Sequence, residues 1–216
     1  MNDFQIYDKY VKPDSIVYDI GAFIGEHANY FAKLGAKPVY AFEPSNNNFD
    51  ELAENTKKNL SVYCYKVALH TKSYECITRF RDCTDSRKPV PQDGEQPIKY
   101  VILRDFIDEN NLLLPDFVKI DIEGMESMLL NTFDFLFTSS RPIIFVEVHV
   151  APRGIEPQNY KDNPHWLYPD EGGFDFNDLK KHDYIMLDNN GNEIMGDYNP
   201  VPKTHTGRIL IPKEKL

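Results

Sequence analysis

The sequence predicts an α/β fold: a mostly parallel sheet with helices packed on both faces. Three observations predict it. Short apolar runs alternate with segments of helical period from residue 15 to residue 150, the pattern of successive βαβ units. A glycine-bearing turn, Asp19-Ile20-Gly21-Ala22-Phe23-Ile24-Gly25, joins the first run to the first helix. Charged side chains interrupt two later runs, Lys119 and Asp121 in one and Glu147 and His149 in the other. Such residues are expected where strands end at a ligand-binding edge.

The elements follow in order. Residues 15–20 read as a strand and 27–34 as a helix, with Ala28, Phe31 and Leu34 along one side. Residues 38–42 form the next strand. A helix over 46–60 follows, with Phe49, Leu52, Ala53 and Leu60 close to its period, and then a third strand over 61–69. The segment 71–99 is polar and carries Pro89, Pro91, Gly94 and Pro97. A strand is expected over 74–80 and a long loop over 82–96. Residues 103–112 read as a helix broken by Pro115, 117–122 as a fourth strand, and 126–137 as one helix with Met128, Leu129, Phe133 and Leu136 on a face. Residues 142–150 give a fifth strand. An irregular insertion over 151–175, rich in proline and glycine, carries Tyr160, Trp166 and Tyr168. A short helix over 176–182, a strand over 184–187, a turn at Asn189-Asn190-Gly191-Asn192 and a strand over 208–211 complete the chain.

The 216 residues suit a single domain over 1–216. The formal net charge of −10 opposes binding to nucleic acid or to anionic membranes. No apolar stretch reaches the length of a membrane span, and the polar N-terminal segment lacks a signal core, so a soluble, cytoplasmic protein is expected. Cys64, Cys76 and Cys83 are odd in number and lack CxxC spacing, which argues against a disulfide framework and a zinc site.

The turn at 21–25 points to a nucleotide-type ligand. Gly21 permits a tight turn and close approach to the backbone. Gly25 is expected to let the following helix pack near the sheet. The middle glycine of GxGxxG is absent, so the pyrophosphate fingerprint is not met. Glu43 ends the second strand eighteen residues after Gly25, where a carboxylate can accept hydrogen bonds from both ribose hydroxyls of an adenosine. NAD and S-adenosylmethionine (SAM) both present such a ribose. The incomplete glycine pattern favours SAM, leaving a nicotinamide-dependent oxidoreductase as the rival. Asp19 is placed to orient the loop or to reach the ligand's ammonium through water.

Alternation puts Lys119 and Asp121 on one face of their strand, and Glu147 and His149 on one face of theirs. Buried charges require partners, and a Lys119–Glu147 ion pair is the simplest structural account. Asp121 and His149 lie nearer the strand ends and are better placed for chemistry. His149 suits a general base. A divalent metal held by Asp121, Glu147 and His149 is the minor alternative.

With these segments in view, the chain resembles the FkbM-type SAM-dependent methyltransferases. The resemblance rests on VYDIGAFIGEH at 17–27, AFEPSNNNFDEL at 41–52, VALHTKSYE at 67–75, DFVKIDIEGMES at 116–127 and IIFVEVH at 143–149. It implies a Rossmann-like class I methyltransferase, with a seven-stranded, mostly parallel sheet whose last strand is antiparallel. It implies methyl transfer from SAM to a hydroxyl of a sugar, polyketide or similar small molecule. Asp19, Gly21, Ala22, Gly25 and Glu43 then carry over as SAM contacts and Asp121 faces the methyl group; Phe23 and Pro44, within the same two segments, are read as part of the SAM site. The residues themselves, rather than the resemblance, point to Asp121, Glu147 and His149 as the catalytic set, and Tyr160, Trp166 and Tyr168 either line the acceptor pocket or form a small satellite core under the insertion. Phe23 departs from the asparagine usual at its position, which motivates a SAM-binding module without catalysis as a second alternative. The short segment before the first strand implies that N-terminal covering helices are reduced or missing.

Overall fold

The computed structural model describes residues 2–78, 96–122, 125–148, 175–196 and 206–216. Residues 82–95, most of the 151–175 insertion with Tyr160, Trp166 and Tyr168, and His149 lie outside the described residues.

The main sheet follows from the apolar runs. Its strands are β1 (Val17–Ile20), β2 (Val39–Phe42), β3 (Val62–Tyr65), β7 (Phe117–Ile120), β8 (Ile143–Val148), β9 (Tyr184–Leu187) and β10 (Thr206–Pro212). They lie in the order β3-β2-β1-β7-β8-β10-β9. β10 runs antiparallel to both its neighbours, while β1, β2, β3, β7 and β8 pair in parallel. The fold is therefore the seven-stranded Rossmann-like arrangement, with β1 at the point where the chain reverses its direction of travel across the sheet. Ligands of open α/β sheets bind beyond the carboxyl ends at such a point.

Both faces are covered, as the uninterrupted burial of β1, β2 and β7 requires. One face presents Val17, Val39, Phe117 and Phe145 to α1 (Asp3–Tyr10) and α2 (Glu26–Lys33), with Leu52 of α3 (Asn46–Thr56) joining the same cluster. The other presents Tyr18, Phe42, Ile120 and Val146 to α4 (Leu103–Asn110), α5 (Glu126–Leu130) and α6 (Asp134–Thr138).

Several elements differ from expectation. The N-terminal segment is not bare: α1 is held by a reciprocal Asn2–Gln5 capping box. Its Tyr7 is fully buried among the rings of Phe31, Phe117 and Phe145. The single strand expected over 61–69 is two, because the chain leaves the main sheet after Tyr65. Ala68–Leu69 is β4 of a second sheet, β4-β6-β5, with β5 (Tyr74–Thr78) and β6 (Gln96–Val101). The expected helix over 126–137 is interrupted at Asn131–Phe133, where the Thr132 hydroxyl donates to the Leu129 carbonyl at 2.7 Å and α6 starts afresh. Residues 176–182 wind as a 3-10 helix. The turn after β9 forms at Gly191, which has φ +83°, and the Asp188 carboxylate accepts from the backbone of Asn190 and Asn192.

Candidate active site

The turn after β1 is built to carry backbone rather than side chain towards its outer surface. Gly21 has φ +78°, and a Cβ there would lie 1.8 Å from the Asp121 carbonyl oxygen. No other residue fits. The amides of Gly21 and Ala22 both donate to the Phe42 carbonyl at 3.0 Å, and the Asp121 amide donates to Ile20 at 3.0 Å. The carboxyl ends of β2, β1 and β7 are thereby laced together. Ala22 turns its methyl into the core shared by α1 and α2. Gly25 caps α2 in the left-handed region, and a Cβ on it would meet Leu52 Cδ1 at 2.8 Å. Its smallness therefore serves packing of the turn against α3, not against the sheet as the sequence suggested. Asn55 of α3 secures the same turn by donating to the Ile24 carbonyl at 2.8 Å.

Phe23 occupies the left-handed region at φ +50°, with its ring exposed. Asparagine and glycine tolerate this conformation far better than an aromatic residue. The backbone thus keeps the geometry of the motif while the side chain departs from it.

Glu43 stands at the end of β2, 5% exposed. One carboxylate oxygen accepts from the Phe23 amide at 3.0 Å and the other from the Ser45 amide at 2.9 Å. Burial pushes its pKa up to about 7, against the lowering effect of the Ser45, Phe23 and Asn48 hydrogen bonds. The two backbone bonds and the Asn48 side chain together take three of the roughly four acceptor directions of the carboxylate. Pro44 follows, half-buried, and Ser45 caps α3.

Asp19, Lys119 and Asp121 form a buried charge cluster. Asp19 and Lys119 are register partners on β1 and β7. The Lys119 ammonium donates to the Gly21 carbonyl at 2.7 Å and lies 3.5 Å from Asp19 Oδ1 and 3.4 Å from Asp121 Oδ2. This corrects the expected Lys119–Glu147 pair. Lys119 lies opposite Phe145 on β8, so Glu147 sits one pleat further towards the carboxyl edge. Burial acts against the charge on Lys119, but Asp19 and Asp121 together outweigh it and hold its pKa above the ordinary value. Burial raises Asp19 to about 6, with Lys119 opposing. Asp19 is fully enclosed, which favours orienting the loop over touching a ligand; Asp121 keeps a quarter of its side chain exposed.

Groups that the sequence reading passed over complete the surroundings. α1 brings Asp3 and Tyr7, and α2 brings His27. Asp3 is raised by burial, and the charges of Lys119 and Asp121 both reach it. Burial lowers His27 to about 4, keeping the imidazole neutral, and its Nδ1 lies 3.5 Å from the Tyr7 hydroxyl. Glu126, 1% exposed, accepts from the Ile122 amide at 3.1 Å and steadies the chain just past Asp121. The Asn2-x-x-Gln5 capping signal was the sequence clue to α1. Among the described residues, no group of three or more His, Cys, Asp or Glu is placed to hold a metal. No described helix is long and apolar enough to cross a membrane.

Comparisons with known proteins agree with this geometry. A family model described as the methyltransferase FkbM domain matches residues 19–176. Over 148 residues the chain is 26% identical to the hexuronic acid methyltransferase AglP of Haloferax volcanii, covering 68% of this chain and 59% of that protein. The structure is similar to the methyltransferase FkbM of Methylobacillus flagellatus, with a TM-score of 0.54 and 15% identity over 96% of this chain and 50% of the other. It is also similar to the Aeropyrum pernix fibrillarin crystallised with natively bound S-adenosyl-L-methionine, with a TM-score of 0.50 and 10% identity over 94% of this chain and 68% of that one. The chain thus spans about three-fifths of AglP and half of the Methylobacillus protein.

Proposed function

The chain belongs to the FkbM-domain methyltransferase family, and on that premise we propose that it moves a methyl group from SAM to a hydroxyl oxygen of a sugar-like small molecule. The observation that carries the reading is Glu43, a buried carboxylate tied to the Gly21 turn through the Phe23 amide. The donor set fits an adenosine. A ribose hydroxyl can take the acceptor direction that Glu43 keeps and compete with Asn48 for a second, and the constricted turn offers backbone rather than a cationic side chain. The relation to AglP supports a sugar, and the hexuronic acid in that protein's name a carboxylated one. We take 1–216 as one catalytic unit, with the 151–175 insertion beside the acceptor.

When bound, SAM supplies an electrophilic methyl on a sulfonium centre. Glu43 holds the ribose, and the laced ends of β1, β2 and β7 fix the turn, so that alignment is set before the acceptor arrives. Asp121, partly exposed at the end of β7, faces the reacting region. We assign the general base to His149, two residues after Glu147 in the sequence; its imidazole takes the acceptor's hydroxyl proton. Asp121 assists that base, and Glu147 is the third member of the catalytic set. A divalent metal at Asp121, Glu147 and His149 remains the lesser version of this step.

Calorimetric titration with S-adenosylhomocysteine (SAH) and with NAD tests the donor, and a panel of hexuronic acids and neutral sugars with SAM tests the acceptor. SAH binding with methylation of a sugar hydroxyl is expected. Binding of NAD in place of SAH would refute the proposal.

A further inference from the structure

Lys119 is the cation about which this site is arranged. It is enclosed with 3% of its side chain exposed, and it reaches three groups on two strands. Of these, the hydrogen bond to the Gly21 carbonyl at 2.7 Å is the shortest. The two carboxylates, at 3.4 and 3.5 Å, are looser contacts. Among the described residues, neither oxygen of Asp19 makes a hydrogen bond of good geometry, although both are fully buried. One ammonium therefore serves two carboxylates. Its strongest directional contact goes to the backbone of the turn that a Cβ would drive into Asp121.

Resting on the reading that this turn holds the methyl donor, we propose that Lys119 is the positioning residue of the donor site. Its ammonium ties the Gly21 carbonyl to the Asp121 carboxylate, so that turn and carboxylate meet the donor as one rigid unit. Asp19 has a different part. It supplies the second negative charge that keeps an ammonium stable in this enclosed place. Among the described residues, the charged and titratable groups around Lys119 are Asp19 on β1, Asp121 just past β7, Glu43 just past β2, Asp3 and Tyr7 on α1 and His27 on α2, with Glu147 of β8 beyond Tyr7. None of the non-carboxylate members offers a replacement cation, because His27 is held neutral.

The test separates charge balance from positioning. Removing Lys119 alone leaves the fully buried Asp19 without its counter-charge, so the informative variant is the charge-preserving pair Asp19→Asn with Lys119→Met. SAH affinity is measured by calorimetry and ligand-free melting by circular dichroism, for wild type, the double variant and Lys119→Arg. The double variant is expected to melt near wild type yet bind SAH about tenfold more weakly or worse, the effect of losing a charged hydrogen bond. Lys119→Arg is expected to recover affinity to within about fivefold of wild type, since it restores charge and donors in a bulkier shape. Wild-type affinity in the double variant overturns the proposal, and so does a Lys119→Arg variant that binds no better than the double. Should the double variant not fold, Lys119→Arg decides alone, with a loss beyond about thirtyfold counting against positioning. A wild-type chain that binds no SAH refutes the donor site itself, an outcome distinct from any difference among variants.

Discussion

Glu43→Gln separates the stability of the empty site from its affinity for a ligand. Burial lifts the carboxyl from the ordinary 4.5 to about 7, so the folded chain holds that proton more tightly than the unfolded chain. The contribution to stability is thus fully present below pH 4.5 and is lost as pH rises through about 7. For these two values, the group's contribution falls by about 2.5 kcal/mol between pH 5 and pH 8. Glutamine has the same shape and does not titrate. It sacrifices one of the two backbone hydrogen bonds, from Phe23 or Ser45, at about 1 kcal/mol independent of pH. The variant's stability relative to wild type should therefore improve by about 2.5 kcal/mol from pH 5 to pH 8, read from urea unfolding. SAH affinity should move the other way. The ionised carboxylate accepts both ribose hydroxyls, so wild-type binding strengthens from pH 6 to pH 8. Glu43→Gln, or Glu43→Ala, should bind more weakly by about 1.5–3 kcal/mol at pH 8. A stability difference that is flat with pH would refute the raised carboxyl, and unchanged SAH affinity would remove Glu43 from the ribose role.

Other outcomes are expected from the same geometry. Gly21→Ala forces a Cβ to 1.8 Å from the Asp121 carbonyl, so SAH binding should vanish and the unfolding midpoint should fall; normal binding by calorimetry would contradict the interlocked turn. Phe23→Asn relieves an aromatic residue of its left-handed backbone at φ +50° and should stabilise the chain by about 0.5–1 kcal/mol in urea. A destabilised variant would mean that the exposed ring makes contacts worth more than that strain. His149→Ala should depress turnover of the sugar acceptor while SAH affinity stays near wild type. If turnover survives, the base lies elsewhere.

The sheet was legible in the sequence because its signals are local. Val17–Ile20, Val39–Phe42 and Phe117–Ile120 are short apolar runs buried on both faces, and each is bounded by a turn or a charge. The glycine turn and Glu43 were legible for the same reason: each is a strand-end motif whose spacing survives in one dimension. Elements whose existence depends on tertiary contacts were harder to see. α1 has few buried residues of its own and is retained because Tyr7 inserts between rings contributed by α2, β7 and β8. Residues 126–137 keep an apolar spacing compatible with one helix, yet Thr132 bonds back onto Leu129 and lets the chain restart as α6.

The misassigned partner of Lys119 shows where such reading stops. Alternation along β7 put Lys119 and Asp121 on the same side, as their 3.4 Å contact shows, because side-chain direction is a property of one strand. Which of them touch is a property of register between strands. Parallel pairing sets Lys119 beside Asp19 and Phe145, so its counter-charges come from β1, a hundred residues earlier, and from its own strand. Sequence separation hid the Asp19 contact, and the same ammonium couples the Gly21 turn to the end of β7. The residues that a motif places locally, such as Gly21 and Glu43, can thus be located at strand ends from the sequence. The side chain that holds them in relation to one another, Lys119, is identified only once the strands are in register.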